Sequence, residues 1–174
     1  MTARFTLVPF AALAIVSPAQ ATVYMSLEQA LQAIFPGANF TPAFLTPDKA
    51  ARNAIEKLAG SSLSGNEIKI WRVSGSGWLI ADQAVGRHDY IPFVLGLDDK
   101  GAIKGLEILE YRESYGGQVR EAAWRAQFNG KRQGASLVWN KDVLNISGAT
   151  LSTRHLTDAV KRLLALYAVL LAKN

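Results

Sequence analysis

The sequence predicts an α+β fold, a mostly antiparallel sheet with flanking helices, and three observations lead there. Apolar residues between Glu67 and Glu110 recur with a period of two, in runs separated by turn residues. Segments of helical spacing lie before and after that block. The composition, 49% hydrophobic and 19% charged, is that of a chain able to bury a core.

Taken in order, the chain first shows the three parts of an export signal within residues 1–21. Arg4 is a positive start, Leu7 to Val16 is apolar, and Ala19-Gln20-Ala21 is a small-x-small cleavage site. Pro9, Ser17 and Pro18 interrupt the run before the ~20 residues that a bilayer span needs. Cleavage leaves residues 22–174 as one domain, destined for the periplasm or another extracytoplasmic compartment. Ser26-Leu27-Glu28-Gln29 has the form of a capping box and opens a helix that Pro36-Gly37 stops. Thr46-Pro47 reads as an N-cap with proline at the first helical position, and Ala51, Ala54, Ile55 and Leu58 share a face before Gly60.

A meander of about four strands follows. Ile68, Ile70 and Arg72 alternate with Lys69, Trp71 and Val73; a turn at 74–77 leads into Trp78 to Ala81; and Ile91–Leu97 and Ala102–Glu110 flank the hairpin turn Asp98-Asp99-Lys100-Gly101. Helical spacing returns over Gln118–Phe128, with Trp124 and Phe128 read as core. Ala135–Trp139 reads as a short strand, and Trp71, Trp78 and Trp139 as strand residues of a core or interface. The last helix is expected from about Arg154 to Ala172. Its apolar stretch from Leu163 is too short to span a membrane, so it is read as a core helix.

Several function classes are disfavoured. The net charge of +5 is spread along the chain without a basic run interleaved with aromatics, so nucleic acid is not the expected partner. Acidic partners or anionic surfaces are a weak preference. The chain has no cysteine, hence no disulfide, iron–sulfur or haem-thioether ligands, and any redox chemistry requires an organic cofactor. The two histidines, His88 and His155, have no partner at metal-ligand spacing; His88-Asp89 beside Tyr90 reads as a surface turn. No hydrolase elbow, P-loop or dinucleotide fingerprint is present.

The informative segment is Ser147-Gly148-Ala149-Thr150, between the Trp139 region and the last helix. Small residues leave backbone amides open to an anion, and a nearby helix N-terminus favours phosphate. The same residues also suit an ordinary loop, with Ser152 or Thr153 as a plain N-cap.

Ser147-Gly148-Ala149-Thr150-Leu151-Ser152-Thr153 resembles the flavinylation motif of the FMN-binding domain family, which includes periplasmic flavin subunits of sodium-translocating NADH:quinone oxidoreductases and of Rnf complexes. Three further blocks match in order: Asp99-Lys100-Gly101-Ala102-Ile103, then Tyr111-Arg112-Glu113-Ser114-Tyr115-Gly116-Gly117, then Trp124 with Phe128-Asn129-Gly130-Lys131. The resemblance implies FMN joined through its phosphate to Thr150 by a flavin transferase, with Ser147, Gly148 and Ala149 around the ester. It also implies that Glu113 and Ser114 lie near the flavin, where the backbone amides of Gly116 and Gly117 can approach the ring or phosphate. Lys131, after a glycine, either pairs with the phosphate or is a solvated loop lysine. The sequence departs from the family where an acid usually precedes the motif serine by three positions, here Leu144. It departs again where Tyr111 and Tyr115 replace the usual histidine and proline. Tyr115 either stacks on the ring or fills space.

The leading expectation is an exported electron carrier that relays electrons between donor and acceptor proteins in or at the membrane. A carrier is favoured over an enzyme. The alternatives are a small flavin-dependent reductase, with Tyr115, Glu113 or His155 as proton donor, and an extracytoplasmic binding or assembly module that receives no flavin.

Overall fold

The computed structural model describes residues 22–75 and 77–172, so the export signal expected at 1–21 lies outside the described residues. Its centre is a five-stranded antiparallel sheet. The strands are β2 (Phe40–Pro42), β3 (Lys69–Val73), β4 (Gly77–Val85), β5 (Tyr90–Leu97) and β6 (Ile103–Ile108), in the spatial order of the chain. The predicted meander is therefore present, extended by β2 at one edge. Two residues near the start, β1 (Thr22–Val23), pair with β7 (Glu110–Tyr111) in a separate ribbon.

Alternation along the strands divides the core in two. Ile70, Trp78 and Ile80 face one side with Phe93, Leu95 and Leu97, while Trp71, Val73 and Leu79 face the other. Both faces are covered, which is why β4 and β5 carry consecutive buried residues as well as the alternating ones. On the smaller side lies α1 (Leu27–Ile34), opened by the predicted capping box: Gln29 N–H donates to Ser26 Oγ (3.2 Å) and Ser26 N–H to Gln29 Oε1 (2.8 Å). Gly96 and Gly105 stand opposite one another on β5 and β6. Ile34 packs onto both, and a Cβ at Gly96 would collide with it, so this glycine pair is the seat of α1.

On the larger side pack α2 (Lys49–Ala59) and α4 (Thr150–Leu166), the latter continued by a π-helical turn, Tyr167–Leu171. Leu156, Ala159, Val160 and Leu163 of α4 are buried, as expected of a core helix. Among the described residues no helix is long and apolar enough to cross a membrane. Asp82 of β4 and Arg162 of α4 form an ion pair inside this interface, with Oδ2 2.7 Å from a terminal guanidinium nitrogen and the side chains only 8% and 11% exposed. Ser64 hydroxyl donates to the same carboxylate, so the pair is hydrogen-bonded as well as matched in charge.

Several expected elements differ. The second helix is capped by Asp48, whose carboxylate accepts from Ala51 N–H (2.8 Å), rather than by Thr46 with Pro47. Asp48 is the residue whose acceptor stands three positions before a free amide. Of its predicted face only Ile55 is buried, and Leu58 is exposed. The helix expected over Gln118–Phe128 is broken into a 3₁₀ turn (Gly117–Arg120), α3 (Ala122–Arg125) and a second 3₁₀ turn (Ala126–Phe128), because Glu121 is extended. Trp124 and Phe128 are nevertheless core, edge to face at 5.4 Å.

Ala135–Trp139 is not a strand. Asp142 takes the Ser136 hydroxyl and the Val138 N–H (2.9 Å), closing a local loop in which Trp139 makes a single bridge to Val143. Side-chain bonds of this kind satisfy backbone groups that a sheet would otherwise need. Finally, α4 begins at Thr150 and not near Arg154.

Candidate functional site

The earlier start of α4 decides the geometry of the Ser147–Thr150 segment. Thr150 is the first helical residue, exposed, and Ala149 before it is buried. Ser152 and Thr153, read from sequence as candidate caps, are buried inside the helix, and the Thr153 hydroxyl lies 3.2 Å from the carbonyl of Ala149. No side chain caps this helix and its first turn holds no acid, whereas α1 and α2 are capped by Ser26 and Asp48. The first N–H groups of an α-helix have no intrahelical acceptor, and the helix dipole adds positive potential there. A long helix left open at this end is a ready anion site.

The backbone around it is built for close approach. Gly148 has φ +80°, a left-handed conformation that favours glycine, and Tyr115 lies beside it. Gly116, at φ +88°, abuts Ala149 so closely that a Cβ there would collide with the alanine methyl. The segments 113–117 and 147–150, far apart in sequence, thus touch through small residues. Tyr111, buried at the end of β7, locks them together: its phenol donates to the carbonyl of Tyr115 (2.6 Å) and shares a hydrogen bond with Ser152 Oγ (3.2 Å). Burial pushes the Tyr111 phenol above its ordinary range, and the bond to Ser152 opposes this.

These segments line a cavity of about 290 Å³ together with a turn that the sequence reading did not include. Its walls carry Glu113, Ser114 and Tyr115 from one segment, Gly148 to Ser152 from another, and Arg87 and His88 from the turn between β4 and β5. Glu113 holds that turn, because its Oε1 accepts from the backbone N–H of His88 (2.7 Å) and of Asp89 (3.2 Å). Asp89 in turn pairs with Arg112 at 3.1 Å. The backbone N–H of Tyr90 and then Arg112 hold the Asp89 carboxyl below its usual range.

A second network stands beside Thr150. Trp139 Nε1 donates to Thr153 Oγ1 (3.0 Å), Asn145 Oδ1 lies 3.0 Å from the same hydroxyl, and Asn145 Nδ2 is 3.5 Å from Thr150 Oγ1. Leu144 is exposed at 63%, with its backbone fixed by Trp124 Nε1 (2.8 Å) and Gln127 Oε1 (2.8 Å). At the position where the family usually has an acid, an apolar side chain therefore points to solvent, and the polar group near Thr150 is its neighbour Asn145.

Of the residues expected around a flavin, Glu113, Ser114, Tyr115, Gly148, Ala149 and Thr150 share the cavity. Gly116 stands behind Ala149, and Ser147 is an exposed residue on the approach to it. Lys131 is not among the lining residues: its backbone bonds Ile103 and Phe128, and its charge lies near Asp142. The residues that sequence reasoning missed are Arg87, Leu151, Ser152 and Asn145, and His88 was read only as a turn residue. Leu151, Ser152 and Asn145 adjoin the motif and follow from it once the helix start is known. Arg87 and His88 come from a hairpin turn whose approach to the motif is purely tertiary.

Residues 86–165, from that turn through most of α4, match the model of the FMN-binding domain family. Over these residues the chain resembles an FMN-binding domain. Its fold is similar to that of the crystal structure of NqrC from Shewanella oneidensis, with a TM-score of 0.51 and 17% identity over 75% of this chain and 80% of that one. No curated protein sequence matches the chain. The matched span begins at the cavity's hairpin turn and contains every residue named above as lining it.

The residues present fit such a cofactor. An uncapped helix N-terminus suits the phosphate, Gly148 and Gly116 bring backbone close, and the exposed Tyr115 offers an aromatic face at the mouth. FMN held there would supply one- or two-electron redox chemistry, and the protein position and field.

Proposed function

We propose that this protein is an exported electron carrier whose FMN is esterified through its phosphate to Thr150. The observation that carries the reading is the position of Thr150: an exposed hydroxyl on the first turn of an uncapped helix, opening into the cavity. An ester there sets the phosphate against free N–H groups and the positive end of the helix dipole. Nothing else caps this end, so the phosphate takes the place that Ser26 and Asp48 fill on α1 and α2. Covalent attachment keeps a small cofactor from being lost in an extracytoplasmic compartment. A flavin transferase makes the bond, and donor and acceptor proteins at the membrane supply and remove the electrons. Export rests on the signal at residues 1–21.

A carrier is favoured over a reductase because two of the three candidate proton donors are already engaged. The Glu113 carboxylate is engaged by two backbone amides, and the His155 ring nitrogen Nδ1 is 2.7 Å from the carbonyl of Val85. Both act as tethers. The test is to express the full chain with and without a flavin transferase, separate periplasm from cytoplasm, and image the denatured protein for flavin fluorescence. Fluorescence confined to the exported protein made with the transferase is expected. Its absence from Thr150→Ala places the link at Thr150, and an unlabelled wild type would favour the binding or assembly module.

A further inference from the structure

We propose that Arg87 sets the reduction potential of the flavin, by presenting an unpaired guanidinium to a ring that gains negative charge on reduction. The inference rests on the reading that the cavity holds FMN.

The argument begins with how firmly the turn is held. Gly86 N–H donates to Asp89 O (2.8 Å), and Glu113 Oε1 takes the N–H groups of His88 and Asp89. A Cβ at Gly86 would collide with Glu113 and would crowd the Asp89 carbonyl, so the carboxylate fits only because that residue is glycine. Asp89 is fixed in addition by Arg112. The backbone of the turn on both sides of Arg87 is therefore held. The Arg87 side chain lines the cavity and is exposed, with no hydrogen bond or ion pair among the described residues. This contrasts with Arg112, Arg125 and Arg162, whose guanidiniums are all held by carboxylates. Glu113 is the one acid in the lining, and it is spent on backbone amides rather than on Arg87.

A cation at the wall of a cavity, without a protein partner, is available to an anion bound there. The phosphate does not need it. As a diester on Thr150 it bears a single negative charge, and the open end of α4 faces it from another wall. The remaining group of FMN that becomes anionic is the ring. Two-electron reduction followed by uptake of one proton leaves one negative charge there. A positive charge nearby favours that form over the neutral oxidised ring and raises the potential. Lysine would retain much of the effect as a point charge, and glutamine would lose it.

The experiment is a redox titration with mediator dyes on the flavinylated wild type, Arg87→Gln and Arg87→Lys, each checked for flavin by intact mass. Full flavinylation of all three is expected. In Arg87→Gln the equilibrium should favour the oxidised flavin by roughly tenfold, about 30 mV more negative for a two-electron couple. Arg87→Lys should lie closer to wild type, and added salt should narrow the gap because the site is open to solvent. An unchanged potential in fully flavinylated Arg87→Gln would overturn the proposal. Loss of flavin from Arg87→Gln alone would also overturn it, by making Arg87 a phosphate ligand. A wild type without flavin would instead sink the FMN reading on which it rests.

Discussion

The phenol of Tyr111 donates to the carbonyl of Tyr115 at 2.6 Å while lying 3.2 Å from Ser152 Oγ, so one buried side chain joins the two segments that form the cavity. Tyr111→Phe keeps the packing but leaves that carbonyl and the buried Ser152 hydroxyl short of a partner. Losing such bonds costs about 1–3 kcal/mol. Chemical denaturation should show a fall of that size, and the flavin of the variant should be more accessible to an aqueous quencher.

The two glycines of the site should respond differently to alanine. At Gly148 an added Cβ meets Tyr115 at an ordinary 3.5 Å, so the cost is the left-handed backbone alone, about 1–2 kcal/mol. At Gly116 the added methyl collides with Ala149, next to Thr150. Gly148→Ala should therefore retain flavinylation with modest loss of stability. Gly116→Ala should lose both, as read by mass and by thermal unfolding.

The Asp82–Arg162 pair ties β4 to α4 from inside the interface. Asp82→Ala leaves a buried guanidinium uncompensated, which costs about 3–5 kcal/mol. Replacing both partners, as in Asp82→Leu with Arg162→Met, should recover most of that loss. Urea denaturation of the wild type and the two variants reads the difference.

Acid should weaken the loops before the sheet. Ser136 first and the Val138 N–H second hold the Asp142 carboxyl low, and Asp89 is held low by Tyr90 N–H and Arg112. A carboxyl depressed in the folded state stabilises above its unfolded pKa, about 4, and loses that contribution as pH falls through the folded value. These two groups should leave the unfolding midpoint flat from pH 8 to about 5 and lower it below about 4. Asp142→Asn should show a smaller acid decrease.

Where local chemistry decides structure, the residues announced it. The capping box at Ser26 and Gln29 and the Asp98 to Gly101 hairpin can be read directly, because each is closed by groups a few residues apart. The start of α4 could not be read that way. It lacks the cap by which helix starts are recognised, and an anion site requires that this end stay open. Trp139 looked like a strand residue because Asp142, which closes its loop, acts through side-chain bonds that leave no periodic trace. Within the site, Thr150, Gly148 and Tyr115 were legible through the family motif. Arg87 was not, since Glu113 brings its turn to the cavity from 26 positions away in sequence.

The central claim, that Thr150 carries FMN, is tested most directly by the intact mass of the exported protein. It should be purified under denaturing conditions from cells containing a flavin transferase, alongside Thr150→Ala. The account predicts a gain of one FMN less one water in the wild type and none in the variant. Unmodified mass in both, or the same gain in both, would contradict it.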